Sequence, residues 1–255
     1  MSEARALYAP EWLTYPEHPE ALSRTIWTDS FTRNEQGELC IDGVTVSDLA
    51  AEHETPQYVF SETTFRARAR AYRTAFGQAV AEHGAQGSVY YAGKSFRSTA
   101  VARWATEEGL CLDTASGGER ALALRAQVPG ANIALHGNNK SEAEIARAIR
   151  NGLGRVVADS VDELKPIERV YAELAAERVA EGEEPYAPVP VLNRITPGVH
   201  ASTHESIATA HEDQKFGMSL QPGTAALAGL DEEELEYWGV ESTDSYAALA
   251  AAILN

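Results

Sequence analysis

From residue 56 onward the chain repeats one pattern: a short apolar run, a small or polar turn, then a longer stretch with apolar residues at helical spacing. "QYVF" (57–60) reads as a strand, and the following "TTFRARARAYRTAF" puts Phe65, Ala69, Tyr72 and Phe76 on one helical face. "SVYYA" (88–92), "CLDTA" (111–115), "NIALH" (132–136), "RVVAD" (155–159) and "VPVLNRI" (189–195) each read as a buried strand, and the first four lead into helical segments. Three of those helices open with Ser-x-x-Glu, at Ser116–Glu119, Ser141–Glu144 and Ser160–Glu163. In such a box the serine accepts from an early helix N–H and the glutamate reaches back to the cap.

A capped helix after every strand predicts βα units and a parallel sheet. The repeat of about 22 residues suits a (β/α) barrel, with a doubly wound sheet as the competing architecture. No Gly-x-Gly-x-x-Gly follows the first strand, which weakens the dinucleotide-binding form of the latter. The N-terminal region lacks the repeat. It holds Pro10, Pro16 and Pro19 and short candidate strands such as "LCIDGVTV" (39–46).

Composition narrows the function classes. The 255 residues, 44% hydrophobic, suffice for a sizeable core. A formal net charge of −17 argues against a nucleic-acid backbone or an anionic membrane as partner. Cys40 and Cys111 offer neither a disulfide framework nor metal spacing. The N-terminus has no charged-then-apolar leader, and "AALAAAIL" (247–254) is too short to span a bilayer, so a cytoplasmic protein is expected.

In either architecture chemistry collects at the C-terminal ends of the strands, here Lys94, Asp113, His136 and Arg194. Lysine is rare in this chain, with four against seventeen arginines, so a lysine on an Ala-Gly turn suggests a role for its amine. An amine, a carboxylate, an imidazole and a guanidinium around one mouth suit an anionic cofactor with a reactive carbonyl. Burial there is expected to tune the amine. The alternative is a set of charges fringing an ordinary barrel mouth.

"YYAGKSF", "GLCLDTASGGE" (109–119), "HGNNKS" (136–141) and "RITPGVHASTHESIATAHEDQKFG" (194–217) together resemble the diaminopimelate decarboxylase family. These are pyridoxal-phosphate enzymes on an alanine-racemase-like barrel, and the resemblance runs from about residue 56 to 220. It implies a TIM-type (β/α)8 barrel in residues 61–255, incomplete at about five strands, and a segment of a β-domain in residues 1–60. It further implies decarboxylation of meso-diaminopimelate to L-lysine, with pyridoxal 5'-phosphate held by Lys94 in the room left by Ala92 and Gly93. Asp113, His136 and Arg194 are then cofactor-binding, while Glu119 and Lys215 match family positions with less defined roles.

His200, His204, Glu205 and His211 fall in a stretch opened by Pro197 and Gly198. That favours a loop beside the substrate entrance over a helical metal pair, and no metal is expected. The family's ring-stacking histidine, glycine-rich phosphate loop, ring-nitrogen glutamate and C-terminal β-domain have no counterpart in this sequence, so no useful decarboxylase activity is expected of this chain alone. The family implies a homodimer for the full-length protein, and "GLDEEELEYWGVESTDS" (229–245) matches no family role. The competing readings are a non-catalytic regulatory relative and a decarboxylase of another basic amino acid.

Overall fold

The computed structural model describes residues 18, 21–196 and 216–219. The expected entrance loop with its histidines, Lys215, the acidic stretch 229–245 and the helix-like 247–254 lie outside the described residues. The chain divides into two compact units, residues 1–68 and 69–255.

In the first unit, Asp42 and Gly43 both have positive φ (50° and 83°), as a two-residue primed hairpin turn requires. The expected strand 39–46 is therefore split. β1 (Phe31–Arg33) pairs antiparallel with β2 (Leu39–Ile41), which pairs with β3 (Val44–Thr45) across that turn. Thr45 then caps α1 (Val46–His53) by accepting from the Asp48 N–H. The predicted strand at 57–60 is not found. Those residues join no sheet among the described residues, and Tyr58 is fully exposed, so the apolar run gains none of the burial that would hold a ladder.

The predicted helix after it is present as α2 (Glu62–Glu82), with Ala69 as its buried residue. Beyond it, β4 (Tyr90–Ala92), β5 (Cys111–Thr114), β6 (Ile133–Leu135), β7 (Arg155–Ala158) and β8 (Val191–Asn193) form one parallel sheet, hydrogen-bonded in chain order. That order belongs to a (β/α) barrel, because a doubly wound sheet must reverse direction partway. Helices α3 (Thr99–Glu107), α4 (Gly117–Arg125), α5 (Glu142–Arg150) and α6 (Val161–Ala180) return the chain between strands. After β8, β9 (Ile195–Thr196) pairs in parallel with β10 (Met218–Ser219).

Period-two alternation separates the faces. Leu112, Ile133, Leu135, Val156 and Ala158 are buried together with Val101, Ala105, Ala123, Ile145 and Leu164 from the helices. The opposite face carries Tyr90, Cys111, Asp113, Ala134 and Arg155 by register. There the Arg155 guanidinium lies 4.8 Å from the centroid of the Tyr90 ring. Two strands intervene, and a flat sheet would set β4 and β7 roughly 14 Å apart. The sheet therefore curls toward this face, as a closing barrel must.

Of the three capping boxes, Ser141–Glu144 is complete. Ser116 accepts from Glu119 N–H, but the Glu119 carboxylate takes the Ala115 N–H at 2.7 Å instead of the cap's own. Ser160 makes no side-chain cap bond, and the Glu163 carboxylate that would complete the box accepts from Asp159 and Lys140 instead. At the sheet's other end, Gly154 N–H donates to Gly130 O and Ile133 O, both at 3.0 Å, and a Cβ on Gly154 would overlap the Ala131 carbonyl.

Ser141→Ala is expected to cost about 1 kcal/mol by losing the cap. Gly154→Ala must displace backbone and is expected to cost about 1–3 kcal/mol or more. Urea unfolding of both variants checks this ranking, and the reverse order would contradict the backbone contact.

Candidate active site

β4 ends at Ala92-Gly93, where the chain turns sharply. Ser95 donates to Ala92 O through both its N–H (3.1 Å) and Oγ (2.8 Å), and Tyr91 Oη donates to Phe96 O (2.6 Å). Gly93 N–H donates to Asp113 O at 3.2 Å, tying this turn to β5. Lys94 stands at the tip with its side chain exposed, so the burial expected of it is not found. The room beside Gly93 is also not open. A Cβ there would overlap the Arg97 guanidinium, which comes back over the glycine to donate to Asp113 O.

Arg97, a residue the sequence pattern did not single out, is the innermost cation of this turn. Its side chain is 4% exposed, and Nη1 lies 3.8 Å from Glu119 Oε2. Nε and Nη1 are buried with no hydrogen-bond partner among the described residues. Burial pushes its pKa down, while the charges of Glu119 and Asp113 oppose that shift.

Asp113 and His136 come together across neighbouring strands. Asp113 pairs in register with Ala134, so His136 lies two residues further along the same face. Its N–H donates to Thr114 O at 2.7 Å, and its Nε2 lies 3.2 Å from Asp113 Oδ1. That contact lacks hydrogen-bond geometry, leaving Oδ1 buried with no hydrogen-bond donor among the described residues. Burial pushes the Asp113 carboxyl up, against the charges of His136, Arg97 and Lys94. Burial pushes the His136 imidazole down; Arg194, Lys140 and Lys94 push the same way, and Asp113 opposes them. Both groups are thus driven toward their neutral forms.

Arg194 follows β8 directly. Its N–H donates to Ala158 O (2.9 Å), its Nη1 lies 3.1 Å from Asp159 Oδ1, and its guanidinium lies 4.8 Å from the centroid of the Phe216 ring. The glutamate freed from the failed third box lies behind it. Glu163 accepts from Asp159 N–H (2.9 Å), Lys140 N–H (3.0 Å) and Lys140 Nζ (2.8 and 3.0 Å). Lys140 Nζ also donates to Gly137 O at 2.6 Å.

The structure thus places Lys94, Asp113, His136 and Arg194 at the C-terminal ends of β4, β5, β6 and β8, with Asp113 and His136 in contact. Pattern reading missed Arg97, Lys140, Asp159 and Glu163. Asp159 carried a usable signal, since it ends "RVVAD" as His136 ends "NIALH". These donors fit a cofactor with a carbonyl and anionic groups: an exposed amine, an orphaned carboxylate oxygen beside it and a braced guanidinium.

Fold and site together define the class, a (β/α)-barrel domain with a lysine at the end of its first parallel strand. Residues 62–242 match the family described as "Pyridoxal-dependent decarboxylase, pyridoxal binding domain". The chain belongs to that family, and its cofactor is pyridoxal phosphate. It is 42% identical over 207 residues to the diaminopimelate decarboxylase of Mycobacterium tuberculosis, covering 81% of this chain and 42% of that protein. It is 44% identical over 218 residues to that of Corynebacterium efficiens, covering 84% and 44%. The crystal structure of diaminopimelate decarboxylase from M. jannaschii with L-lysine superposes with a TM-score of 0.66 at 32% identity, covering 78% of this chain and 43% of that one. The chain therefore spans less than half the length of these relatives. No described helix is long and apolar enough to cross a membrane.

The lowered His136 pKa has a testable sign. Near pH 6.5 the folded state binds fewer protons at this site than the unfolded chain, so folding stability falls as pH drops through the ordinary histidine range. His136→Gln is expected to flatten that decline in urea midpoints measured from pH 7.5 to 5.5. An unchanged slope would contradict the assignment.

Proposed function

We propose that these residues supply the lysine end of a pyridoxal-phosphate site for decarboxylation of meso-diaminopimelate to L-lysine. The observation that carries the reading is Lys94 at the end of β4, beside the Asp113–His136 contact, in a chain 42–44% identical to diaminopimelate decarboxylases. Because the chain spans about two fifths of those relatives, the turnover is proposed for the whole protein, and cofactor attachment for these residues. Useful activity is not proposed for residues 1–255 by themselves.

Lys94 holds the cofactor through its amine. Asp113 sets its carboxyl near that amine, and the Lys94 charge works against the burial that pushes the carboxyl up. Burial lowers the His136 pKa, which favours the neutral imidazole over a further cation at the mouth. Arg194 offers positive charge to an anionic group. When bound, pyridoxal phosphate supplies the conjugated ring that accepts the electrons released as CO2 departs.

Residues 1–60 are read as part of a β-domain and 61–255 as part of the cofactor barrel. The family resemblance supports a homodimer and a cytoplasmic location.

Release of CO2 from meso-diaminopimelate, L-lysine and L-ornithine by the whole protein tests the substrate. Turnover of meso-diaminopimelate at least about a hundredfold over the others is expected, a floor below the roughly 10⁴–10⁵-fold discrimination that a built polar site can reach. Lys94→Ala is expected to abolish it. Preference for ornithine or lysine would move the protein to another basic amino acid, and no turnover of any would favour the regulatory reading.

A further inference from the structure

We infer that Asp159 is a positioning residue that holds Arg194 in the orientation the cofactor site needs. The inference rests on the proposed reading of Arg194 as a cofactor-binding side chain. Val157 pairs with Leu192 across β7 and β8, so two residues further on Asp159 and Arg194 fall opposite each other on the same face. The Arg194 N–H to Ala158 O bond carries the ladder to that point.

Asp159 is 5% exposed and both its carboxylate oxygens are committed. Oδ1 lies 3.1 Å from Arg194 Nη1, and Oδ2 accepts from Gly217 N–H at 2.9 Å. A carboxylate so placed has no exposed oxygen to offer a ligand, so its effect on the site runs through the arginine. Arg194 keeps a third of its side chain exposed and has five N–H donors, of which Nη1 faces Asp159.

Asp159 is itself held from behind. Glu163 accepts its backbone N–H, and the Lys140 ammonium fixes Glu163. Arg194 also takes the Met218 N–H on its carbonyl at 2.8 Å, and its guanidinium stacks against Phe216. The arginine is thus constrained on its backbone, on one face of its plane and at one nitrogen. Asp159 provides the charged member of that set.

The test is a double-mutant cycle on cofactor affinity, read from the absorbance change when pyridoxal phosphate is titrated into cofactor-free whole protein. Asp159→Asn keeps an oxygen for the Gly217 N–H but turns an amide donor toward Arg194. It is expected to weaken binding about tenfold, in the range of coupling energies between contacting residues. Arg194→Gln is expected to weaken it at least as much, and the double variant no further. If the two losses multiply, Asp159 acts independently of Arg194 and the inference is overturned while the reading of Arg194 stands. If Arg194→Gln leaves affinity unchanged, both fall. Should Asp159→Asn fail to fold, Asp159→Glu displaces the charge by one methylene, and its loss must likewise vanish in the Arg194→Gln background.

Discussion

Five parallel strands hydrogen-bonded in chain order impose one constraint on everything else. Each connection must carry the chain back to the same starting edge, so every strand delivers its C-terminal residue to the opposite edge. Lys94, Asp113, His136 and Arg194 are spread over a hundred residues of sequence, yet this topology assigns all four to one rim. The curl toward the face shared by Tyr90 and Arg155 then turns the rim inward. The site follows from that connectivity together with the period-two register that decides which residues face it.

Buried charge ties neighbouring strand ends of the rim to one another. Glu163 has a side chain only 10% exposed and accepts four N–H bonds from Lys140 and Asp159. One carboxylate thereby links the loop after β6 to the end of β7, and Asp159 extends the link to Arg194 and Gly217. Such a pair gains little net stability over well-packed apolar residues, but losing one partner leaves an uncompensated charge, at about 3–5 kcal/mol. Its geometric content is the larger matter, since it fixes where strand ends stand relative to one another. On the other side of the rim Arg97 fills the space that Gly93 leaves, and it brings a guanidinium close to Asp113 and Glu119.

The parallel sheet and its helices were legible because each strand is a short run of β-formers and each helix follows within a few residues. The strand at 57–60 was misread for a physical reason: an apolar run signals a strand only when a ladder and a buried face await it, and Tyr58 has neither among the described residues. The box at Ser160–Glu163 failed similarly. Its spacing was right, but Glu163 also took the Lys140 donors, 23 residues away, which no local pattern reveals. Lys94, Asp113, His136 and Arg194 could be placed on one rim because strand ends are visible in sequence. Arg97, Lys140 and Glu163 depend on which turns meet in space, and Gly93 looked like open room until the side chain filling it was placed.

The most direct test of this account is reduction of the whole protein with borohydride in the presence of pyridoxal phosphate, followed by peptide mapping. One stable cofactor adduct is expected on Lys94 and none on Lys140, whose ammonium is buried against Glu163. An adduct confined to another lysine, or cofactor bound with no lysine modified, would contradict it.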